Sequence, residues 1–189
     1  MRSIIGSLLI ILFTGCEKAH VPKPLGYNRL NLPEHSYTDS PDSLPYRFQY
    51  SIHARLLPDT SSIRDRFWIE LHYDDLKATI HLTYKELQHN EELLREYLGD
   101  SYALTAKHQI KAYSIEETIL ETKKGITAII ADIDGEVPSQ LQFTITDSTE
   151  NFLRGALYFY ARVNNDSLAP AIDYVKKDAM HFIHSLEWR

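Results

Sequence analysis

Two pairs of histidines and two acidic stretches are the residues of this sequence whose types and spacing suit metal or acid–base chemistry. His181 and His184 stand three apart in a stretch of helical periodicity, with Asp178 and Glu187 beside them. Neighbouring helical turns can present two imidazoles to a metal. Both, however, flank an apolar stripe, so the expectation is a solvated edge and no metal. His72 and His81 fall on the polar face of an expected hairpin, near Glu70. A zinc ion would need a further ligand and closer convergence, so a hydrogen-bonded sheet face is favoured. Asp132-Ile133-Asp134-Gly135-Glu136 has two acids and a glycine but lacks the spacing of a calcium loop, and reads as a turn after a strand. Asp147-Ser148 has no histidine tied to it and no nucleophile-elbow motif around it. It reads as a strand end closed by side-chain hydrogen bonds to backbone. Arg154 interrupts an apolar strand and calls for a carboxylate partner, for which Asp147 is the candidate. No catalytic residue, metal ligand or cofactor follows from these groups.

Covalent chemistry is better marked. Met1-Arg2-Ser3 is a short basic start, and Ile4 to Phe13 is an apolar run broken only by Gly6 and Ser7. The run is shorter than the roughly 20 apolar residues that span a bilayer, which marks it as a secretory signal peptide. It closes on Phe13-Thr14-Gly15-Cys16, a sequence similar to a bacterial lipobox. In that motif the chain is cut between Gly15 and Cys16, and the cysteine carries acyl chains such as palmitate. Cys16 is the only cysteine, so an internal disulfide is ruled out. Each buried CH₂ adds about 0.8 kcal/mol, so several chains hold a protein durably at a membrane. The other modification signal is Asp42-Ser43-Leu44, repeated as Asp166-Ser167-Leu168, which resembles a short O-glycosylation motif. Ser43 is the better acceptor because its surroundings are expected to be exposed. Ser167 is expected to serve as a helix cap.

These groups must be placed by a domain, and the composition allows one. Residues 16–189 are enough for a single core. The net charge of −6, without a basic cluster, argues against nucleic acid and against a purely electrostatic hold on anionic lipid. Twelve tyrosines suit sheet surfaces and partner contacts.

Residues 16–46 read as a proline-rich tether, with Pro22, Pro24, Pro33, Pro41 and Pro45, although Tyr27, Leu30 and Leu32 could pack on the domain. The domain is placed at 47–189. Phe48, Tyr50 and Ile52 alternate as in a strand. Phe67–Tyr73 and Leu76–Tyr84 form a hairpin around Asp74-Asp75, with Ile69, Leu71, Tyr73, Leu76, Ala78, Ile80 and Leu82 on one face. Asn90 caps a helix running to about Ala112, with Leu94, Leu98 and Tyr102 inward. Ile115–Glu121 and Ile126–Asp132 flank a turn at Lys123-Lys124-Gly125, and Gln140–Asp147 and Phe152–Arg162 follow. Asp166 or Ser167 caps the last helix, with Pro170 in its first turn and a stripe of Ile172, Val175, Ala179, Phe182, Ile183 and Leu186. Adjacent strands joined by short turns predict an α+β fold: a mainly antiparallel sheet with two long helices packed on it. The element order is similar to the Mog1/PsbP-like α-β-α sandwich.

Several segments carry a family resemblance across almost the whole mature chain. They are Val21-Pro22-Lys23-Pro24-Leu25-Gly26-Tyr27, Leu32-Pro33-Glu34-His35-Ser36-Tyr37, Ile80-His81-Leu82-Thr83-Tyr84-Lys85 and Ala112-Tyr113-Ser114-Ile115-Glu116-Glu117. The longest lies between Phe143 and Trp188 and includes Thr146-Asp147-Ser148-Thr149, Phe152-Leu153-Arg154-Gly155-Ala156-Leu157-Tyr158-Phe159 and Leu186-Glu187-Trp188. In these the chain resembles the gliding-motility lipoprotein GldD family of the Bacteroidetes. The resemblance implies a non-enzymatic, lipid-anchored envelope protein facing the periplasm, on the outer membrane in preference to the inner. Its implied partners are other envelope proteins and lipoproteins of the gliding machinery, linked to type IX secretion. It carries no catalytic residue, cofactor or small-molecule substrate. Many members hold a cysteine pair near the first strands; here Leu44 and Phe67 stand in those places. The competing readings are a lipid-anchored envelope hydrolase and a small-ligand or metal-binding module.

Overall fold

The computed structural model describes residues 31–61, 65–122, 124–160 and 165–189. Among these, eleven strands and two α-helices follow in the order β1 (Tyr37–Asp39), β2 (Tyr46–Arg47), β3 (Gln49–Ser51), β4 (Arg55–Pro58), β5 (Ile69–Tyr73), β6 (Ala78–Glu86), α1 (Glu91–Ala106), β7 (Ala112–Glu121), β8 (Thr127–Gly135), β9 (Ser139–Thr146), β10 (Asn151–Phe159), α2 (Asn165–Ser185) and β11 (Glu187–Trp188).

Seven strands make one sheet in the order β4-β5-β6-β10-β9-β8-β7, and every neighbouring pair is antiparallel. The fold is therefore α+β with a large antiparallel sheet, as the strand pattern predicts. The period-two alternation of the chain sorts the faces. Ile69 opposes Leu82, Leu71 opposes Ile80, and Tyr73 opposes Ala78, all buried. Leu153, Leu157 and Phe159 of β10 continue that face, against which Val175, Ala179, Phe182 and Ile183 of α2, and Leu186 just beyond its end, lie almost without exposure. Phe143 of β9 meets Phe182 of α2 with ring centroids 5.8 Å apart. On the opposite face Phe152 meets Tyr97 of α1 at 5.4 Å, so one helix covers each side of the sheet. Among the described residues no helix is long and apolar enough to cross a membrane.

Two glycines are required by close approach. Gly135 has φ of 124°, and a Cβ there would sit 2.6 Å from the backbone oxygen of Lys111, where β7 and β8 shift register. Gly155 opposes Phe143 in the sheet, and a Cβ at 155 would overlap the phenyl ring.

The structure corrects several boundaries. Residues 37–46, read as tether, lie on the domain: β1 pairs with β3, and Leu44 and Tyr46 are core residues. Leu44 and Phe67 both pack in that core. Ile52 is in a turn and exposed, because the strand ends at Ser51. Helix α1 ends at Ala106 and tightens into a 3₁₀ turn at Lys107–Ile110 before the chain reverses into β7. Its inner face carries Ser101 and Thr105, while Tyr102 faces solvent at 63% exposure. Asp132 and Asp134 belong to β8 itself, since pairing with β7 continues to Gly135. Helix α2 already contains Asp166 and Ser167, and Pro170 lies past its first turn, where its missing N–H leaves one helical hydrogen bond unmade. Arg162 lies outside the described residues, as do the side chains of Asp166 and Ser167.

Candidate functional site

The residues of greatest chemical interest gather where the chain first meets the domain. Strand β1 pairs with β3 at the flank of α2, and the chain entering it brings His35 and Tyr37 against that helix. Asp178, on the inner flank of α2, has only 1% of its side chain exposed. Its Oδ1 lies 2.6 Å from His35 Nδ1, and its Oδ2 accepts a hydrogen bond from the Tyr73 hydroxyl at 3.0 Å. A carboxylate only accepts, so His35 Nδ1 carries the proton. Burial raises the Tyr73 pKa, and the charge of Asp178 raises it further. Tyr37 is pushed up to about 12, chiefly by burial and then by Asp178.

Aromatic stacking completes the cluster. His35 stacks on Tyr174 with ring centroids 4.3 Å apart, and Tyr37 stacks on His181 at 3.5 Å. His181 Nε2 is 3.0 Å from Gln49 Oε1. Burial lowers the His181 pKa, against the raising effect of Asp178. The arrangement fastens the entering chain to α2 through one buried carboxylate and two ring stacks. A carboxylate–imidazole pair also occurs in hydrolases, where the imidazole activates a nucleophile. Among the described residues no serine or threonine hydroxyl is hydrogen-bonded to His35. Sequence reading placed Asp178 only as a neighbour of His181 and did not single out His35. The only signal for the contact is that His35 sits in a segment carrying the family resemblance.

The remaining sequence candidates are dispersed. His181 is taken up by Tyr37 and Gln49, while His184, one turn on, is exposed. His72 and His81 lie on either side of Glu70 on the polar sheet face, at 2.5 Å and 3.0 Å from its two carboxylate oxygens. That is a hydrogen-bonded sheet face, with His81 also 3.2 Å from the Tyr160 hydroxyl. Asp147 closes the β9–β10 turn: its Oδ1 accepts from the amides of Thr149, Glu150 and Asn151 at 2.9–3.0 Å, and its Oδ2 from the Asn151 side chain at 2.6 Å. Burial would raise its pKa, but these bonds outweigh burial and hold it below the usual carboxylate range. Asp147 is therefore engaged by its own turn and does not pair with Arg154. Arg154 donates instead to Gln142 Oε1 at 2.6 Å, and among the described residues no carboxylate pairs with it. The expected ion pair is replaced by an amide because Arg154 points under α1, away from the turn. Ser43 is exposed in a turn between Pro41 and Leu44. Gly15 and Cys16 lie outside the described residues.

Comparison with known proteins is decisive at the level of family. The model of the family described as gliding motility lipoprotein GldD matches residues 17–188. The chain belongs to the gliding motility lipoprotein GldD family. Membership places it with envelope lipoproteins associated with gliding. A comparison with curated proteins gives no match. Among solved structures the chain is similar to the solution structure of cyanobacterial PsbP (CyanoP) from Synechocystis sp. PCC 6803. The identity is 12%, over 88% of this chain and 99% of that one, with a TM-score of 0.47.

Proposed function

We propose that this GldD-family protein is a non-enzymatic coupling part of the gliding machinery, held to the outer membrane by lipid on Cys16, facing the periplasm and linked to type IX secretion. The observation that carries the reading is the family match over residues 17–188. The lipobox-like Phe13-Thr14-Gly15-Cys16 supports the anchor, with residues 1–15 removed as a signal peptide. The docking of His35 and Tyr37 on α2 supports a mechanical role. A pull on the chain before residue 35 would pass into α2 through a buried carboxylate and two stacked ring pairs. Its partners are other envelope proteins and lipoproteins of the same machine, reached from a proline-rich tether. Ser43, exposed in its turn, is the proposed O-glycosylation site.

Deleting the gene is expected to abolish spreading on a surface, and the wild-type copy to restore it. A null strain that glides and secretes normally overturns the proposal. Replacing Cys16→Ala is expected to remove incorporation of labelled fatty acid; retained label refutes the anchor. A hydrolase working through His35 would need that imidazole for turnover. A strain carrying His35→Gln that accumulates normally but loses gliding, alongside a purified wild type that cleaves envelope polymer, would favour the enzyme.

A further inference from the structure

The sheet face beneath α1 carries a cation that the described fold does not neutralise. Arg154 stands in β10 between Phe152 and Ala156, opposite Thr83 of β6 and Thr144 of β9. Its Nη2 hydrogen bond goes to Gln142 Oε1, which also accepts from the Thr105 hydroxyl of α1 at 3.1 Å. An amide oxygen satisfies a donor but supplies no opposite charge. Burial lowers the Arg154 pKa; Tyr158 acts in the other direction, and no carboxylate does. The positive field reaches His108 in the 3₁₀ turn after α1, whose pKa is lowered first by burial and then by Arg154.

Beside this guanidinium is space. α1 turns Ser101 and Thr105 inward, where large apolar residues would fill a helix–sheet seam, and turns Tyr102 outward. The small residues leave a cavity of about 220 Å³ between α1 and strands β7 to β10, open to solvent. Leu98, Ile129 and Ala131 give it apolar walls, Arg154 lies at its polar side, and Glu117 of β7 stands on its rim. An apolar cavity of about 150 Å³ is large enough for a benzene ring. The present one therefore has room for a ring with a short arm. Planar guanidinium and carboxylate match each other with two parallel hydrogen bonds. The carboxylate of Glu117 at the rim disfavours a second negative charge on whatever enters.

We propose that this cavity is a binding site for a small apolar monocarboxylate, its acid group paired with Arg154 and its body lying against Leu98 and Ile129. The site goes beyond the coupling role and does not depend on it. The test uses the full chain in a non-ionic detergent, titrated calorimetrically with 3-phenylpropionate and with its neutral counterpart 3-phenylpropanol. The acid is expected to bind saturably at one site, and the alcohol at least about tenfold more weakly, the loss of one charge-assisted pair. Arg154→Met is expected to abolish the preference for the acid, and Arg154→Lys to retain part of it. Nuclear Overhauser contacts in the wild type, from the ligand ring to the methyl groups of Leu98 and Ile129, locate the site without any variant. Equal affinity for acid and alcohol, no saturable binding, or binding without those contacts overturns the proposal. So does unchanged preference for the acid in a folded Arg154→Met protein.

Discussion

Removing the carboxylate at position 178 tests the docking of the entering chain most directly. Asp178→Ala leaves the Tyr73 hydroxyl and His35 Nδ1–H without their acceptor. Tyr73 is 3% exposed, so water cannot replace the lost bond, and an unsatisfied buried hydroxyl costs about 1–3 kcal/mol. A hydrogen bond to a charged group is worth about 1.5–3 kcal/mol. The His35 bond falls at or below the low end of that range, because its imidazole is 30% exposed and screened. Alanine also removes a carboxylate that was itself costly to bury, which offsets part of the sum. The expected net loss is about 2–3 kcal/mol, read as the shift of the urea midpoint at unchanged slope. The damage should be uneven. Amides of Tyr37 to Asp39, held by pairing with β3, are expected to lose more protection from hydrogen exchange than those of Leu153 to Leu157 in the sheet centre. Asp178→Asn keeps one acceptor and should lose about half as much. A loss under about 0.5 kcal/mol in Asp178→Ala, the range of an ordinary surface change, would refute the reasoning. Unchanged protection of residues 37–39 would refute it too.

Three further outcomes follow from the fold. Gly155→Ala would drive a methyl into the Phe143 ring, which is 2% exposed and backed by Phe182; overpacking of about 2–3 kcal/mol is expected as a lower melting midpoint, eased by adding Phe143→Leu. Asp147 has its pKa depressed by the turn amides. Its contribution is therefore full above the ordinary carboxylate pKa of about 4 and is lost as pH falls through its lower folded value. Asp147→Asn is expected to flatten the fall of stability below about pH 4, compared by urea titrations at pH 3 and pH 6. Asn90 caps α1 by accepting from the amides of Glu92 and Leu93; Asn90→Ala should cost about 1 kcal/mol and loosen the first turn in hydrogen exchange.

Much of the architecture was written in local pattern. The alternation of Ile69, Leu71 and Tyr73 against Ala78, Ile80 and Leu82 determined a hairpin and its buried face, because strand side chains alternate whatever they pack on. The stripe from Ile172 to Leu186 determined a core helix for the same kind of reason. Asp147 was legible as a turn acceptor because its partners are the next few amides of the chain. The hairpin around Gly125, with its positive φ, was legible because few residues other than glycine adopt that conformation readily.

What sequence could not determine depends on residues far apart in the chain. His35 and Asp178 are separated by 143 positions, and no local periodicity links a residue in a proline-rich approach to a helix near the other end. Tyr102 reads as inward by spacing, yet the seam below α1 takes Ser101 and Thr105, since the sheet there sets Gln142 and Arg154 among its apolar residues, and Thr105 bonds to Gln142. The choice of Gln142 over Asp147 as the arginine's partner was likewise settled by which face of β10 looks under the helix. By itself the sequence determined the lipobox-like signal, the strands, the helices and the family resemblance. Only the tertiary structure decided which polar groups meet and which cation is left with an open cavity beside it, because burial and charge pairing belong to the packed chain.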